Sequence, residues 1–274
     1  MLSYFLPIFI GVLLIAYSAG KPYWREYQRS KIRSQPFKKE WRKIMHQRMP
    51  FFSQMPTDLQ LQLKQHIQVF LAEKTFIGCN GVKITDEIRV TIAAQACLLL
   101  LNRKKNFYPK LRTILVYPRA FVKEQHNISA DGLRFSQKLA LAGESWDFGK
   151  VVLSWQDTLE GAKIPDDGRN VVIHEFAHQL DQENGKANGA PLLDKGQNYQ
   201  CWSDVFSAQF EQLKIQAKTG EPSLFDYYGA TNPAEFFAVT SEVFFEQANR
   251  FHSTYPDLYL QLKNYYQVDP VNWH

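Results

Sequence analysis

Two histidines and a glutamate stand at a spacing that suits a metal ion. Residues 174–178 read HEFAH, and on a helix two residues four apart share one face. His174 and His178 can therefore bind one ion together, at about 2.0–2.1 Å if the ion is zinc. Glu175 projects beside them, where a carboxylate can accept a proton from metal-activated water. Such a pattern occurs by chance in roughly 1% of chains of this length, so it predicts a hydrolytic metal site.

The third ligand of such a site must come from another segment. A catalytic zinc takes three protein ligands and keeps one position for water. Asn232 and Pro233 predict a helix start, because asparagine favours the N-cap and proline the first turn. Glu235 follows them, either as a metal ligand or as a capping carboxylate. Glu242 shares its face seven residues later, either as the other candidate ligand or as an acceptor for an imidazole N–H.

Asp181 is a further acidic residue near the motif. It follows His178 by three residues and can reach the same face of the helix. One interpretation is a carboxylate that accepts an imidazole N–H, and the other is a solvated group at the helix end. The remaining histidines are scattered without ligand spacing and are read as structural or surface residues.

Hydrophobic periodicity places the motif in a mostly helical chain. The predicted helices cover residues 38–49, a segment opening at 57, and residues 85–102, 169–183, 198–218, 232–249 and 256–267. Two β-rich runs, 113–118 and 151–155, predict strands. The second is either an edge strand that could pair with an extended peptide or a core strand. Glycine, asparagine and proline mark 185–197 as a loop. Strands before helices predict an α+β fold with a small sheet.

Length and composition exclude several classes of protein. The chain has 274 residues, enough for one large domain or two small ones. With 45% hydrophobic and 22% charged residues, it has the balance of a globular protein and not of a disordered or fibrous one. Three cysteines without a C-x-x-C pair exclude a disulfide scaffold and a thiolate zinc finger. We interpret them as free buried thiols in a reducing compartment.

The net charge of +5 is concentrated in one segment. Residues 1–20 carry no charged side chain, whereas residues 21–49 carry ten Lys or Arg against two Glu, which leaves −3 for residues 50–274. A nucleic-acid partner is not predicted, because such proteins more often carry a basic face on their folded part.

The uncharged N-terminal run predicts a membrane anchor. Leu2 to Ala19 would span roughly 27 Å as a helix, just enough for a thin bilayer. The basic residues follow this run, which by the positive-inside rule places the remainder in the cytoplasm. We therefore expect a transmembrane helix over 1–20 in a bacterial inner membrane, a basic juxtamembrane segment over 21–49, and a catalytic domain over 50–274. A cleaved signal peptide, a buried helix and an unanchored cytoplasmic protein are the alternatives.

Four motifs together resemble the Mlc titration factor A family of zinc metallopeptidases. They are HEFAHQLD, the helix NPAEFFAVTSEVFF, the preceding DYYGAT and the strand VVLSW, and they occur in the family's order. The likeness covers roughly residues 50–270. It implies a mostly helical, zincin-type metallopeptidase domain whose fold is like that of the catalytic domain of anthrax lethal factor.

The resemblance also implies roles for individual residues. In the family, the metal ligands are the two motif histidines and the glutamate of the PAE segment, which correspond to His174, His178 and Glu235. The motif glutamate is the catalytic base, which corresponds to Glu175. A tyrosine seven residues before the ligand glutamate is thought to help catalysis, and Tyr228 holds that place.

These observations favour one function and leave others open. The leading hypothesis is a peptidase with one Zn²⁺, which hydrolyses a peptide or protein substrate with Glu175 as general base; an aminopeptidase-like specificity is one form of it. The alternative, from a different class, is a regulatory protein that binds and sequesters a transcriptional repressor such as Mlc, with the metal site secondary. A non-proteolytic zinc hydrolase is a weaker third hypothesis.

Overall fold

The computed structural model describes residues 2–103, 107–128, 134–141, 143–146, 149–164 and 166–273. The side chains of residues 2–9, 11–16, 18 and 121–148 lie outside this description. Within it the chain forms ten α-helices: α1 (Leu2–Arg33), α2 (Lys39–Arg48), α3 (Thr57–Glu73), α4 (Asp86–Leu98), α5 (Trp155–Lys163), α6 (Val171–Asp181), α7 (Tyr199–Thr219), α8 (Pro233–Glu246), α9 (Ala248–Thr254) and α10 (Pro256–Tyr266). Short 3₁₀ turns occur at Pro50–Gln54, Tyr227–Ala230 and Pro270–Trp273.

The strands form one small sheet and a separate hairpin. They are β1 (Thr75–Gly78), β2 (Thr113–Tyr117), β3 (Phe121–Ile128), β4 (Arg134–Leu141), β5 (Gly143–Trp146) and β6 (Lys150–Ser154). The sheet order is β1-β2-β6-β5, in which the first three strands are parallel and β5 pairs antiparallel with β6. The hairpin joins β3 to β4 in antiparallel register. β1 and β5 are therefore the edge strands, and β5 runs beside α6.

The hydrophobic core draws on both halves of the chain, from α3 and α4 to α8 and α10. The apolar side chains of β6 are buried, and so are Ile114 and Val116, which alternate along β2. Large aromatic residues fill the centre, and the ring of Phe176 on α6 packs against Phe70 of α3 and against Tyr108, with the latter centroids 4.8 Å apart. The helix that carries the histidine motif is thus held on several sides by packed rings.

The predicted fold class is confirmed, since the chain is mostly helical with a small sheet. The predicted helices and both predicted strands are present, with ends that differ by a few residues. β6 lies between β2 and β5, so the core-strand interpretation is correct and the edge-strand interpretation is wrong. The sequence patterns missed α5, α9, the sheet strands β1 and β5, and the β3–β4 hairpin. All three cysteines are free, but only Cys97 is buried.

The predicted membrane anchor is overturned. Within the described part of the chain, no helix combines the length and the apolar character needed to cross a bilayer. The uncharged run does not end as a separate element at residue 20, because α1 continues unbroken through the basic residues to Arg33. There Arg29 forms a two-bond ion pair with Glu73 of α3, at 2.6 and 2.9 Å, which holds this half of the helix on the body. The predicted single-pass location in a bacterial inner membrane depended on that anchor and is therefore wrong as well. Most side chains of residues 1–20 lie outside the described residues.

Candidate metal centre

The histidine motif lies on α6, which begins at a well-formed N-cap. The Asn170 side chain accepts hydrogen bonds from the backbone N–H groups of Val172 and Ile173, both at 3.1 Å. These bonds satisfy two of the N–H groups that a helix start leaves without intrahelical partners. Apolar residues pack α6 into the core, and Glu175 and His178 are buried with it. The local sequence therefore fixes where the motif helix starts and which side faces inward.

The glutamates come from α8, which packs against α6. The Asn232 side chain accepts a hydrogen bond from the backbone N–H of Glu235 at 3.1 Å, and Pro233 occupies the first helical position. Every residue from 236 to 246 is buried, so α8 is enclosed by the fold. Glu235 and Glu242 lie on the side of α8 that meets the histidines.

Three atoms from His174, His178 and Glu235 converge on one point. The Nε2 atoms of the two histidines are 3.2 Å apart, and Oε2 of Glu235 lies 3.0 Å from His174 Nε2 and 3.2 Å from His178 Nε2. Ligand atoms about 2.0–2.2 Å from a tetrahedral zinc ion lie about 3.3–3.5 Å from one another. The triangle is close to this size, and two nitrogens with one carboxylate oxygen are donors that zinc accepts. These residues fit a single metal ion, and they form the one cluster of that kind among the described residues.

The charges around the triangle also favour a cation. Burial alone would raise the pKa of Glu235, but hydrogen bonds with both histidines lower it to about 2. Burial alone would lower the pKa of His174, but Glu235 and Glu242 hold it well above its usual value. A buried site that keeps its carboxylates ionised must carry a positive charge between them. The Glu235 carboxylate would attract a divalent ion held between it and the two imidazoles in the same way.

A second layer of hydrogen bonds holds His174. Its Nδ1 lies 2.8 Å from Oε1 of Glu242, and the backbone N–H of Asn170 donates to the other oxygen of that carboxylate. The Asn170 amide donates to Glu246 at 2.9 Å. Burial and the neighbouring charges of Glu242 and Asp167 raise the pKa of Glu246 well above its usual value. A carboxylate that accepts the Nδ1 proton fixes the tautomer in which Nε2 is free to bind a metal ion.

Glu175 and Tyr228 lie near the triangle, since the charge of Glu175 acts on both His174 and Tyr228. Glu175 is buried, whereas Tyr228 is 56% exposed and its ring centroid is 5.9 Å from that of His174. Burial, the charges of Glu235 and Glu175, and a hydrogen bond with Glu235 raise the pKa of Tyr228 to about 12. Its hydroxyl therefore keeps its proton at neutral pH and can act as a hydrogen-bond donor at the open side of the site.

The turn that carries Tyr228 is fixed by two residues that the sequence did not indicate. Asp226 caps this 3₁₀ turn by accepting the backbone N–H of Tyr228 at 2.9 Å. Arg169, which precedes the N-cap of α6, donates to the other oxygen of Asp226 at 2.7 Å. The ion pair links the start of α6 to the 3₁₀ turn that carries Tyr228. Neither residue stands at a recognisable spacing from the motif, so only the tertiary structure could reveal them.

Asp181 does not form the predicted hydrogen bond with a histidine. Its Oδ2 accepts the backbone N–H groups of Asn188 and Gly189, at 2.8 and 2.7 Å. Its Oδ1 and the Nδ1 of His178 each lack a hydrogen-bond partner among the described residues. The carboxylate is fully buried, so the interpretation as a solvated helix-end group is also wrong. Asp181 instead holds the loop that follows α6.

The structure brings together the five residues predicted as metal ligands or catalytic groups. His174, His178 and Glu235 form the triangle, and Glu175 and Tyr228 lie near it. Sequence reasoning offered Glu242 as a ligand or as an imidazole acceptor, and the geometry is that of the acceptor. It missed the role of Asn170, although an asparagine just before the motif helix was a usable N-cap signal.

Comparison with known proteins places the chain in a family. The family model described as glucose-regulated metallo-peptidase M90 matches residues 23–267. An uncharacterized protein of Synechocystis sp. is 41% identical over 268 residues, which cover 97% of this chain and 96% of that protein. Mlc titration factor A of Klebsiella pneumoniae strain 342 is 32% identical over 225 residues, 81% of this chain and 84% of the relative. The same-named protein of Escherichia fergusonii is 30% identical over 226 residues.

The match is broader than the likeness seen in the sequence. It begins at residue 23, within the basic half of α1, and extends through α10. It confirms the resemblance to the Mlc titration factor A family and agrees with a cluster that fits a metal ion. The chain belongs to the glucose-regulated M90 metallopeptidase family.

Proposed function

We propose that this chain is a zinc-dependent peptidase in which His174, His178 and Glu235 hold one Zn²⁺. The observation that carries the proposal is the triangle of ligand atoms, with edges of 3.0–3.2 Å, beside a buried glutamate on the same helix. Membership of a metallopeptidase family supports it. The family match supports metal-dependent hydrolysis, and the donor set of two imidazoles and one carboxylate favours zinc as the ion.

The residues divide the work of peptide hydrolysis. A zinc ion in this position would polarise the scissile carbonyl and activate a water molecule. Glu175 is the general base. It follows His174 directly on α6, and its negative charge raises the pKa of both His174 and Tyr228, so its carboxylate is close to both side chains. It takes the proton from the attacking water and passes it to the leaving amine. Tyr228 donates its hydroxyl proton in a hydrogen bond to the oxyanion that attack produces.

The first prediction separates chemistry from metal binding. Glu175→Gln should keep bound metal and fold but lose peptidase activity by at least about a hundredfold, since an amide cannot accept the proton. Bound zinc is measured by atomic absorption and activity on generic peptide substrates, before and after chelation. Glu160→Gln, on the exposed face of α5, is the matched control. His178→Ala should lose the metal as well as the activity. Retained turnover in Glu175→Gln would remove Glu175 as the base.

A second candidate function is regulatory binding. The relatives named Mlc titration factor A favour it, since that name describes proteins that titrate the repressor Mlc. We propose as the alternative that this chain binds a transcriptional repressor of that type, with the metal site secondary. Size-exclusion chromatography of the purified chain with such a repressor tests it. Co-elution of both the wild type and Glu175→Gln would support binding that is independent of hydrolysis, and separate elution would count against it.

A further inference from the structure

The loop between α6 and α7 contacts both helices that carry the candidate ligands. Its tip, residues 188–190, lies against the end of α6, where the fully buried Asp181 accepts the backbone N–H groups of Asn188 and Gly189. Asp181 follows His178 by three residues, so it lies about one helical turn from that ligand. The tip is therefore fastened to the helix of the two histidines.

The other side of the tip meets the start of α8. A Cβ atom added to Gly189 would lie 2.4 Å from the carbonyl oxygen of Pro233, well inside contact distance. Gly189 also has a φ of +77°, a conformation that residues with a side chain rarely adopt. Pro233 is the first residue of α8 and precedes Glu235 by two positions. The loop backbone is thus packed directly against the turn that presents the third ligand.

A third contact holds the tip from the side of α7. The indole N–H of Trp202 donates to the carbonyl oxygen of Gly189 at 3.0 Å. Trp202 is itself buried and stacks on Phe206, with ring centroids 4.1 Å apart. The tip is therefore held by α6, by α7 and by the start of α8.

We propose that Asp181 and Gly189 are positioning residues of the metal centre, which set the distance between His178 and Glu235 through the loop tip. The proposal rests on the proposed function, since it assumes that these two residues are ligands. Neither Asp181 nor Gly189 would touch the ion. Their effect is on the separation of the two helices, to which a site with ligand atoms 3.0–3.2 Å apart is sensitive.

Two glycines of the same loop provide a matched test. Gly189 and Gly196 both have positive φ, +77° and +105°, so alanine strains the backbone at either position. The Cβ of an alanine at 196 meets nothing within 4 Å, whereas one at 189 meets Pro233. We expect Gly189→Ala to weaken zinc binding by about 10–100-fold. Gly196→Ala should bind zinc like the wild type, with zinc affinity measured in the full chain by competition with a chromophoric chelator.

A second pair tests Asp181, and it decides the question if Gly189→Ala does not fold. Asp181→Ala removes the acceptor for the tip and should weaken zinc binding by about 10–100-fold, whereas Asp181→Asn keeps an acceptor oxygen and should largely restore it. The visible spectrum of the Co²⁺-substituted protein reports ligand geometry, which a loss of stability alone would not alter.

The outcomes are distinguishable. Equal zinc affinities of Gly189→Ala and Gly196→Ala, or native zinc affinity and an unchanged Co²⁺ spectrum in Asp181→Ala, would overturn the positioning role alone. A wild-type chain that binds no metal would overturn the proposed function and the positioning role together.

Discussion

At the scale of single residues, hydrogen bonds to the ligand side chains decide which of their atoms can face a metal ion. His174 has two ring nitrogens, and the contact of Nδ1 with Glu242 leaves Nε2 as the nitrogen that faces Glu235 and His178. Glu242 is held in turn by the backbone N–H of Asn170. A ligand whose orientation is fixed before the ion arrives loses less entropy on binding, so such partners raise metal affinity.

The second prediction concerns Glu242. Glu242→Ala should weaken zinc binding by about 10–100-fold, because His174 loses the acceptor that fixes its tautomer. Glu242→Gln keeps an acceptor oxygen and should lose less. Isothermal titration of metal-free protein with Zn²⁺ measures both effects, and Glu235→Ala, which removes a ligand, should lose more than either variant. If Glu242→Ala lost all metal while Glu235→Ala kept it, the assignment of the third ligand would be reversed.

At the scale of elements, the centre depends on where α6 and α8 begin and how they pack. Asn170 acts on both helices, since its side chain caps α6 and its amide donates to Glu246 of α8. Gly161 of α5 lies directly against it, where a Cβ would be 3.2 Å from its Cα. Asn170 therefore contacts three helices, α5, α6 and α8.

The third prediction compares Asn170, a buried N-cap that also contacts α5 and α8, with an N-cap at the surface. Asn170→Ala should lower the free energy of unfolding by about 2–4 kcal/mol, from loss of the cap and from a buried carboxyl left without its donor. Asn198→Ala removes the exposed cap of α7, which accepts only the backbone N–H of Gln200, and should cost about 1 kcal/mol. Urea unfolding monitored by circular dichroism measures both. Equal costs would show that Asn170 is an ordinary cap.

At the scale of the whole molecule, α1 is tied to the body by charge. Arg29 is buried, donates twice to Glu73 and lies over the ring of Phe107, 4.7 Å from its centroid. Burial alone would raise the pKa of Glu73, but the hydrogen bond and charge of Arg29 lower it below its usual 4.5. Because the folded state holds this carboxylate ionised more strongly than the unfolded chain does, the pair stabilises the fold only while Glu73 is ionised.

The fourth prediction follows from the sign of that shift. The contribution of Glu73 to stability is fully present above about pH 4.5, the unfolded value, and is lost as the pH falls through the lower folded pKa. The difference in unfolding free energy between the wild type and Glu73→Gln should therefore be largest near pH 7 and shrink below pH 4.5. Glu26→Gln, whose partner Arg33 lies on the same helix, should show little difference at any pH. A pH-independent difference for Glu73→Gln would contradict the linkage.

The sequence by itself determined the local features of the protein. The helical spacing of the histidines and the Asn-Pro start of α8 act over a few residues, and both were read correctly, whereas the N-terminal apolar run was wrongly read as a membrane anchor. It also predicted the fold class, since element types follow from hydrophobic period. α5 was missed because its N-cap, Ser154, is also the last residue of β6, and the run 151–155 was read as a strand alone.

Only the tertiary structure decided which residues meet. His174 and Glu235 are 61 positions apart, and His174 and Glu242 are 68 apart, so packing and not spacing selects one as a candidate ligand and the other as the acceptor. The same reason applies to Asp181, whose neighbours on α6 suggested a histidine partner. Its hydrogen bonds go to a loop folded back against it. A side chain's partner depends on every element packed around it, and local sequence fixes only the face on which it stands.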